Sequence, residues 1–94
     1  MTVLPIVARA VTYDAFGGPE VLRIDEVTVA APAAGEVRVR VAACGLNPVD
    51  AKLRAGRSRM QLPLPVRVGR EFSGWVEALG PGVEGFALGH RVFG

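Results

Sequence analysis

The run Glu36-Val37-Arg38-Val39-Arg40-Val41-Ala42 alternates apolar and charged residues without a break. A period of two fits a strand, which turns successive side chains to opposite faces. Val37, Val39 and Val41 are therefore expected to face a core, and Arg38 and Arg40 to face water. Residues 21–29 are equally rich in strand formers, but their alternation slips. Leu22 and Ile24 share one parity, Val27 and Val29 the other. One extra residue near Asp25-Glu26, a bulge, would bring both pairs to one face. Residues 8–13 form an earlier strand, and Phe16-Gly17-Gly18-Pro19 supplies the turn that pairs it with the next. Residues 31–35 are the following loop, residues 66–79 return to strand, and residues 90–93 begin another.

One segment is helical. Asn47 is a good N-cap, Pro48 suits the first helical position, and Asp50 lies in the first turn, where the helix dipole favours an anion. Val49 and Leu53, four apart, share a buried face, and Gly56 supplies a left-handed stop. Residues 47–56 thus predict a two-turn helix, followed by a loop over 56–65. Ninety-four residues allow one domain, mainly β with one short helix.

Few residues offer chemistry of their own. Cys44 is the single cysteine, so there is no internal disulfide framework, and alone it cannot build a zinc site. Cys44 and His90 are the only soft ligands, far apart and without a third partner; a buried thiol and a surface imidazole are the expected roles. Gly80-Pro81-Gly82-Val83-Glu84-Gly85 matches G-x-G-x-x-G, yet no helix and no acidic residue follow at the distances a dinucleotide site needs. It is a glycine-rich loop between strands. Ser58 and Ser73 have no histidine nearby.

The net charge is only +2, but residues 51–70 carry Lys52, Arg54, Arg57, Arg59, Arg67 and Arg70 without one acid. Without interleaved aromatics this segment fits no nucleic-acid module; it is a solvated loop or a cleft wall facing an anionic ligand. Tyr13, Phe16, Phe72, Trp75, Phe86 and Phe93 are expected in the core. No apolar run approaches the length of a membrane span of about 20 residues. The opening residues lack the charged region and cleavage site of a secretory signal, so no membrane partner and a cytoplasmic location are expected.

The ordered pieces resemble one family. Residues 10–22, with Phe16-Gly17-Gly18-Pro19-Glu20-Val21-Leu22, resemble the opening of medium-chain dehydrogenase/reductases of the quinone oxidoreductase type. So do Gly35-Glu36-Val37, Ala43-Cys44-Gly45-Leu46-Asn47-Pro48-Val49-Asp50, Gly69-Arg70-Glu71-Phe72-Ser73-Gly74, and Gly80-Pro81-Gly82-Val83 through Gly89-His90-Arg91-Val92. The likeness spans residues 8–94, with residues 1–7 as an N-terminal extension. It implies a GroES-like, partly open β-barrel, cut short before the Rossmann domain that binds NADPH in the family.

The zinc-dependent branch of that family has Cys at the position of Asn47 and His at that of Arg70. Asn is a poor zinc ligand and Arg has no lone pair to offer, so the likeness is to the zinc-independent branch. The resemblance places Asn47 beside nicotinamide and substrate carbonyl, with Asp50 and Lys52 bordering the cleft. Asp50 and Lys52, two apart, do not share a helix face, so at most one points inward with Asn47. The plain alternative is that all three cap and solubilise the helix. Glu71 is similar to the acidic residue beside the family's ligand position. His90 stands where the family commonly has Asp, and Trp75 where relatives carry a small aliphatic residue.

The resemblance implies hydride transfer from NADPH to a quinone or enone. Asn47 would orient cofactor or carbonyl, and Lys52 would act as an electrophilic contact or proton donor. The chain alone is expected to bind NADPH weakly, to hold no zinc and to be inactive. From a different class, a GroES-like binding or assembly module would expose strand edges, inviting self-association or a partner chain that completes the barrel.

Overall fold

A computed structural model describes residues 3–94. The elements in order are β1 (Ile6–Tyr13), a 3-10 turn at Pro19–Val21, β2 (Arg23–Val29), β3 (Val37–Gly45), α1 (Pro48–Ala55), β4 (Val66–Arg67), β5 (Glu71–Leu79) and β6 (Arg91–Phe93). The strands pair antiparallel into two three-stranded sheets, ordered β2-β1-β4 and β3-β5-β6. The sheets do not close on one another, which is the partly open barrel the sequence led us to expect. The radius of gyration is 15.0 Å, against about 12 Å for a compact chain of this length. The accessible surface is 6870 Å², against about 5,200 Å² for a compact monomer of this mass.

β1 and β2 pair without interruption from Ile6↔Val29 to Thr12↔Arg23. The bulge expected at Asp25-Glu26 is therefore absent, and β1 begins two residues before Ala8. Asp25, Val27 and Val29 share the more covered face, while Ile24 points outward at 68% exposure. Asp25 keeps its place on that face because it is partnered. The Thr12 hydroxyl donates to its Oδ2 at 2.7 Å and Arg23 Nε donates at 2.8 Å. A satisfied carboxylate can be half-buried where a bare one cannot.

The bulges lie in the second sheet. The β3–β5 register shifts between Arg38 and Val39, and again between Val41 and Ala43. Arg38 is buried rather than solvated, and Val41 is 55% exposed. The guanidinium is tolerated inside because its Nε and Nη1 both find acceptors. Its Nε donates to Glu77, and its Nη1 donates to the carbonyls of Leu4 at 2.9 Å and Ala30 at 3.3 Å. Leu4 precedes β1 and Ala30 follows β2, so one side chain ties the second sheet to the first.

The single strand expected over 66–79 is two strands in two sheets. β4 pairs with β1, and the Val68 N–H still donates to the Val11 carbonyl at 2.9 Å. Gly69 then takes φ +103°, a left-handed value open to glycine, and the chain crosses to begin β5. The buried apolar side chains are Tyr13, Leu53, Val66, Val76 and Ala78. Of the six aromatics, Tyr13 is buried and Phe72 half-buried, whereas Phe16, Trp75, Phe86 and Phe93 are exposed. The expectation of an aromatic core fails for Trp75 and Phe93 because Ser73, Trp75, Arg91 and Phe93 occupy the sheet face opposite the buried Gly74 and Val76. Nothing among the described residues covers that face.

Candidate functional site

α1 is written by its ends. Asn47 is extended (φ −127°, ψ 160°), and its N–H donates to Asp50 Oδ2 at 2.8 Å, while the Asp50 N–H donates to the Asn47 carbonyl at 2.9 Å. At the other end Gly56 has φ 74°; its N–H donates to the Leu53 carbonyl, and the Arg57 N–H donates to the Lys52 carbonyl. These are the two caps expected of this sequence. Leu53 is the buried residue that anchors the helix.

The Phe16-Gly17-Gly18 turn docks on the last turn of α1. The Gly17 N–H donates to the Arg54 carbonyl at 2.9 Å, and Arg54 Nε donates back to the Gly17 carbonyl at 3.2 Å. The phenol of Tyr13 is held above its ordinary pKa first by burial and then by Asp50, with Arg54 opposing. The β1 end, both ends of α1 and the glycine turn therefore form one unit.

The fold separates the residues singled out from the sequence. Asn47 and Asp50 are joined by the cap, so the Asp50 carboxylate is committed to holding the helix start. Glu71 opens β5 directly opposite Gly45, two residues before Asn47. The Glu71 side chain lies over Gly45, where a Cβ would come within 2.1 Å of its Oε1. Asn47 and Glu71 thus flank the junction of β3 and α1. Lys52 turns elsewhere, into a groove of about 450 Å³ lined with Gly17, Gly18, Arg54 and Arg57. Neither the role of Gly17-Gly18 as a docking turn nor that of Arg54 as its holder was read from the sequence. The glycine pair was the available signal.

Among the described residues no three His, Cys, Asp or Glu side chains gather where they could hold a metal ion. Cys44 is exposed, not buried as expected. It lies near the end of β3 over Gly69, where a Cβ would sit 2.4 Å from its sulfur. His90 lies in another turn, its Nδ1 accepting from the Ala87 N–H at 3.2 Å. An aspartate there could accept the same bond.

The Gly80–Gly85 motif is no dinucleotide cradle. It joins β5 to β6, and no helix follows it. The Gly80 N–H is already given to the Glu36 carbonyl at 2.8 Å, and a Cβ at Gly80 would lie 2.0 Å from the Ala33 carbonyl oxygen. The loop packs against the turn before β3. A dinucleotide pyrophosphate therefore finds no helix-backed cradle among the described residues.

An unclosed pair of antiparallel sheets with one capped helix between β3 and β4 is consistent with a partly open GroES-like domain. The model of the alcohol dehydrogenase GroES-like domain family matches residues 33–94, and the chain belongs to that family. It is 42% identical over 86 residues to the quinone oxidoreductase of Rattus norvegicus, covering 90% of this chain and 26% of that protein. The crystal structure of human synaptic vesicle membrane protein VAT-1 homolog-like protein superposes with a TM-score of 0.89 at 41% identity, covering 94% of this chain and 28% of that one. Escherichia coli quinone oxidoreductase complexed with NADPH gives 0.84 at 37% identity, covering 92% and 26%. The chain spans about a quarter of the length of the curated quinone oxidoreductases it matches. No helix among the described residues is long and apolar enough to cross a membrane.

Proposed function

We propose that residues 8–94 are the catalytic-domain portion of a cytoplasmic, zinc-independent oxidoreductase that reduces quinone or enone carbonyl compounds with NADPH. The observation that carries this reading is at the β3–α1 junction. Asn47 starts the helix and Arg70 precedes β5, the two positions where a zinc-binding relative would carry Cys and His. The relatives' names support the quinone class. NADPH, bound by a nucleotide-binding unit outside the described residues, supplies the hydride. This chain's part is to position and to exclude water: Asn47 offers its amide to the acceptor carbonyl, Asp50 holds that end of the helix, and Glu71 borders the opening. Lys52 contributes a positive charge from the neighbouring groove.

The test replaces the matching segment of a quinone oxidoreductase with this chain. We expect quinone-dependent NADPH oxidation that survives a zinc chelator, and a loss in kcat/KM of at least about tenfold for Asn47→Ala. The isolated 94 residues should bind NADPH weakly and turn over nothing. Chelator-sensitive activity, or an Asn47→Ala chimera equal to its parent, would refute the reading.

The exposed Trp75 and Phe93 favour a second reading, a binding module whose apolar sheet face meets another copy of the chain. Concentration-dependent mass in light scattering, lost in Phe93→Ser, would support it. A monomer at every concentration would remove it.

A further inference from the structure

We propose that the groove between the glycine turn and α1 is an anion site that takes a phosphate group. The groove, about 450 Å³, is walled by Gly17, Gly18, Ala51 and Ala55 and rimmed by Lys52, Arg54 and Arg57. The salt bridges among the described residues use Arg23 and Arg38, and none uses these three cations. The basic run of the sequence is thereby divided: half of its six cations converge here, while Arg59, Arg67 and Arg70 lie outside the lining.

Two further features favour an anion. Arg54 is held in place by its Nε bond to the Gly17 carbonyl, which orders the guanidinium before any ligand arrives. The negative end of the helix, which would repel an anion, is masked. The carbonyls of Lys52, Leu53 and Arg54 already accept from the N–H groups of Arg57, Gly56 and Gly17.

Two carboxylates lie near. Glu20 accepts from the Gly18 N–H at 3.1 Å, and Asp50 is held by the Asn47 N–H. Of these only Glu20 borders the turn, so three cations outweigh one acid. A tetrahedral dianion can meet a lysine point charge and arginine forks at once, where a planar carboxylate offers two oxygens in one plane. This assignment goes beyond the oxidoreductase reading, since it needs neither Asn47 nor hydride transfer.

The experiment is a backbone-amide NMR titration of the chain at fixed ionic strength, with inorganic phosphate, NADP+, NAD+ and succinate as separate probes. Phosphate should shift the amides of Gly17, Gly18, Ala51 and Ala55 saturably. Arg57→Gln should weaken that binding about fivefold, the upper end for one exposed ion pair, and Arg67→Gln should not. If NADP+ moves the same amides and NAD+ does not, the source is a dinucleotide phosphate monoester; if neither does, it is a free phosphate or small ester. Because Arg57 is exposed, its variant should keep the parent spectrum away from the groove; Lys52→Gln gives the same test independently. Non-saturating shifts, shifts spread to the Arg67 and Arg70 amides, succinate binding as tight as phosphate, or undiminished binding in both variants would overturn the proposal. No turnover is read, so the result is independent of the enzymatic one.

Discussion

Replacing Arg38 by methionine should cost this domain a large share of its stability. Arg38 is 9% exposed, and its guanidinium bonds a carboxylate and two carbonyls on segments far apart in the chain. Removing one partner of a buried ion pair costs about 3–5 kcal/mol, because the other is left without compensation. Glu77 keeps 30% of its side chain in contact with water and can partly rehydrate. The lower end, about 3 kcal/mol, therefore applies. A chain of this length has about 5–14 kcal/mol in total. At about 4–8 °C per kcal/mol, the melting temperature should fall by about 12–24 °C. Urea unfolding followed by circular dichroism and by the fluorescence of Trp75, the sole tryptophan, measures the loss. In Arg38→Met/Glu77→Leu no charge is stranded, so the double variant should recover at least about 1 kcal/mol over Arg38→Met. A single-variant loss below about 1 kcal/mol, or a double variant no better than the single, would show that the buried guanidinium is not held by its partners as argued.

Three more outcomes follow from the same structure. Tyr13 is the only tyrosine, so the ultraviolet absorbance of ionised phenol titrates it alone, above the ordinary value; Asp50→Asn should lower that pKa and Arg54→Gln should raise it. Because the folded phenol pKa is raised, stability is full below the ordinary phenol value and lost as pH climbs through the folded one, a loss that Tyr13→Phe should abolish. Asp25 is held below the ordinary aspartate range by its bonds from Thr12 and then Arg23. Its contribution is present above the ordinary value and lost as pH falls through the folded one, so Asp25→Asn should flatten the acid limb of a denaturation series. Gly74→Ala should destabilise by about 1–3 kcal/mol in urea, since its Cβ would lie 2.1 Å from the Arg40 carbonyl oxygen, which is backbone and cannot swing away.

Features set within a few residues were legible in advance. Asn47, Pro48, Asp50 and Gly56 specify both caps of α1 by bonds spanning three to five positions, and the structure places them as the spacing implies. The Gly80–Gly85 loop was legible for the same reason, since Pro81 within it and Gly89 just after it leave no helix directly behind it. The resemblance of five ordered motifs to the quinone oxidoreductase type pointed to the family that the chain belongs to.

Burial was not legible. Alternation assigned Arg38 to water, but its ion-pair partner lies 39 residues on and its other acceptors precede β1 and follow β2. The missing bulge in β2 has a similar origin: Thr12, 13 residues away, satisfies Asp25, so the strand need not twist to expel it. Cys44 and Trp75 were misplaced because a strand's pattern tells which residues share a face, not whether another layer covers it. The amino-acid order by itself decided that strands flank one short helix, how that helix is capped, and that positions 47 and 70 carry Asn and Arg, all matters of local geometry and side-chain chemistry. Tertiary structure alone decided that Arg38 is interior, that Glu71 meets Gly45, and that Lys52, Arg54 and Arg57 converge on Gly17 and Gly18. Those facts depend on which distant segment lies opposite, and local spacing carries no record of that.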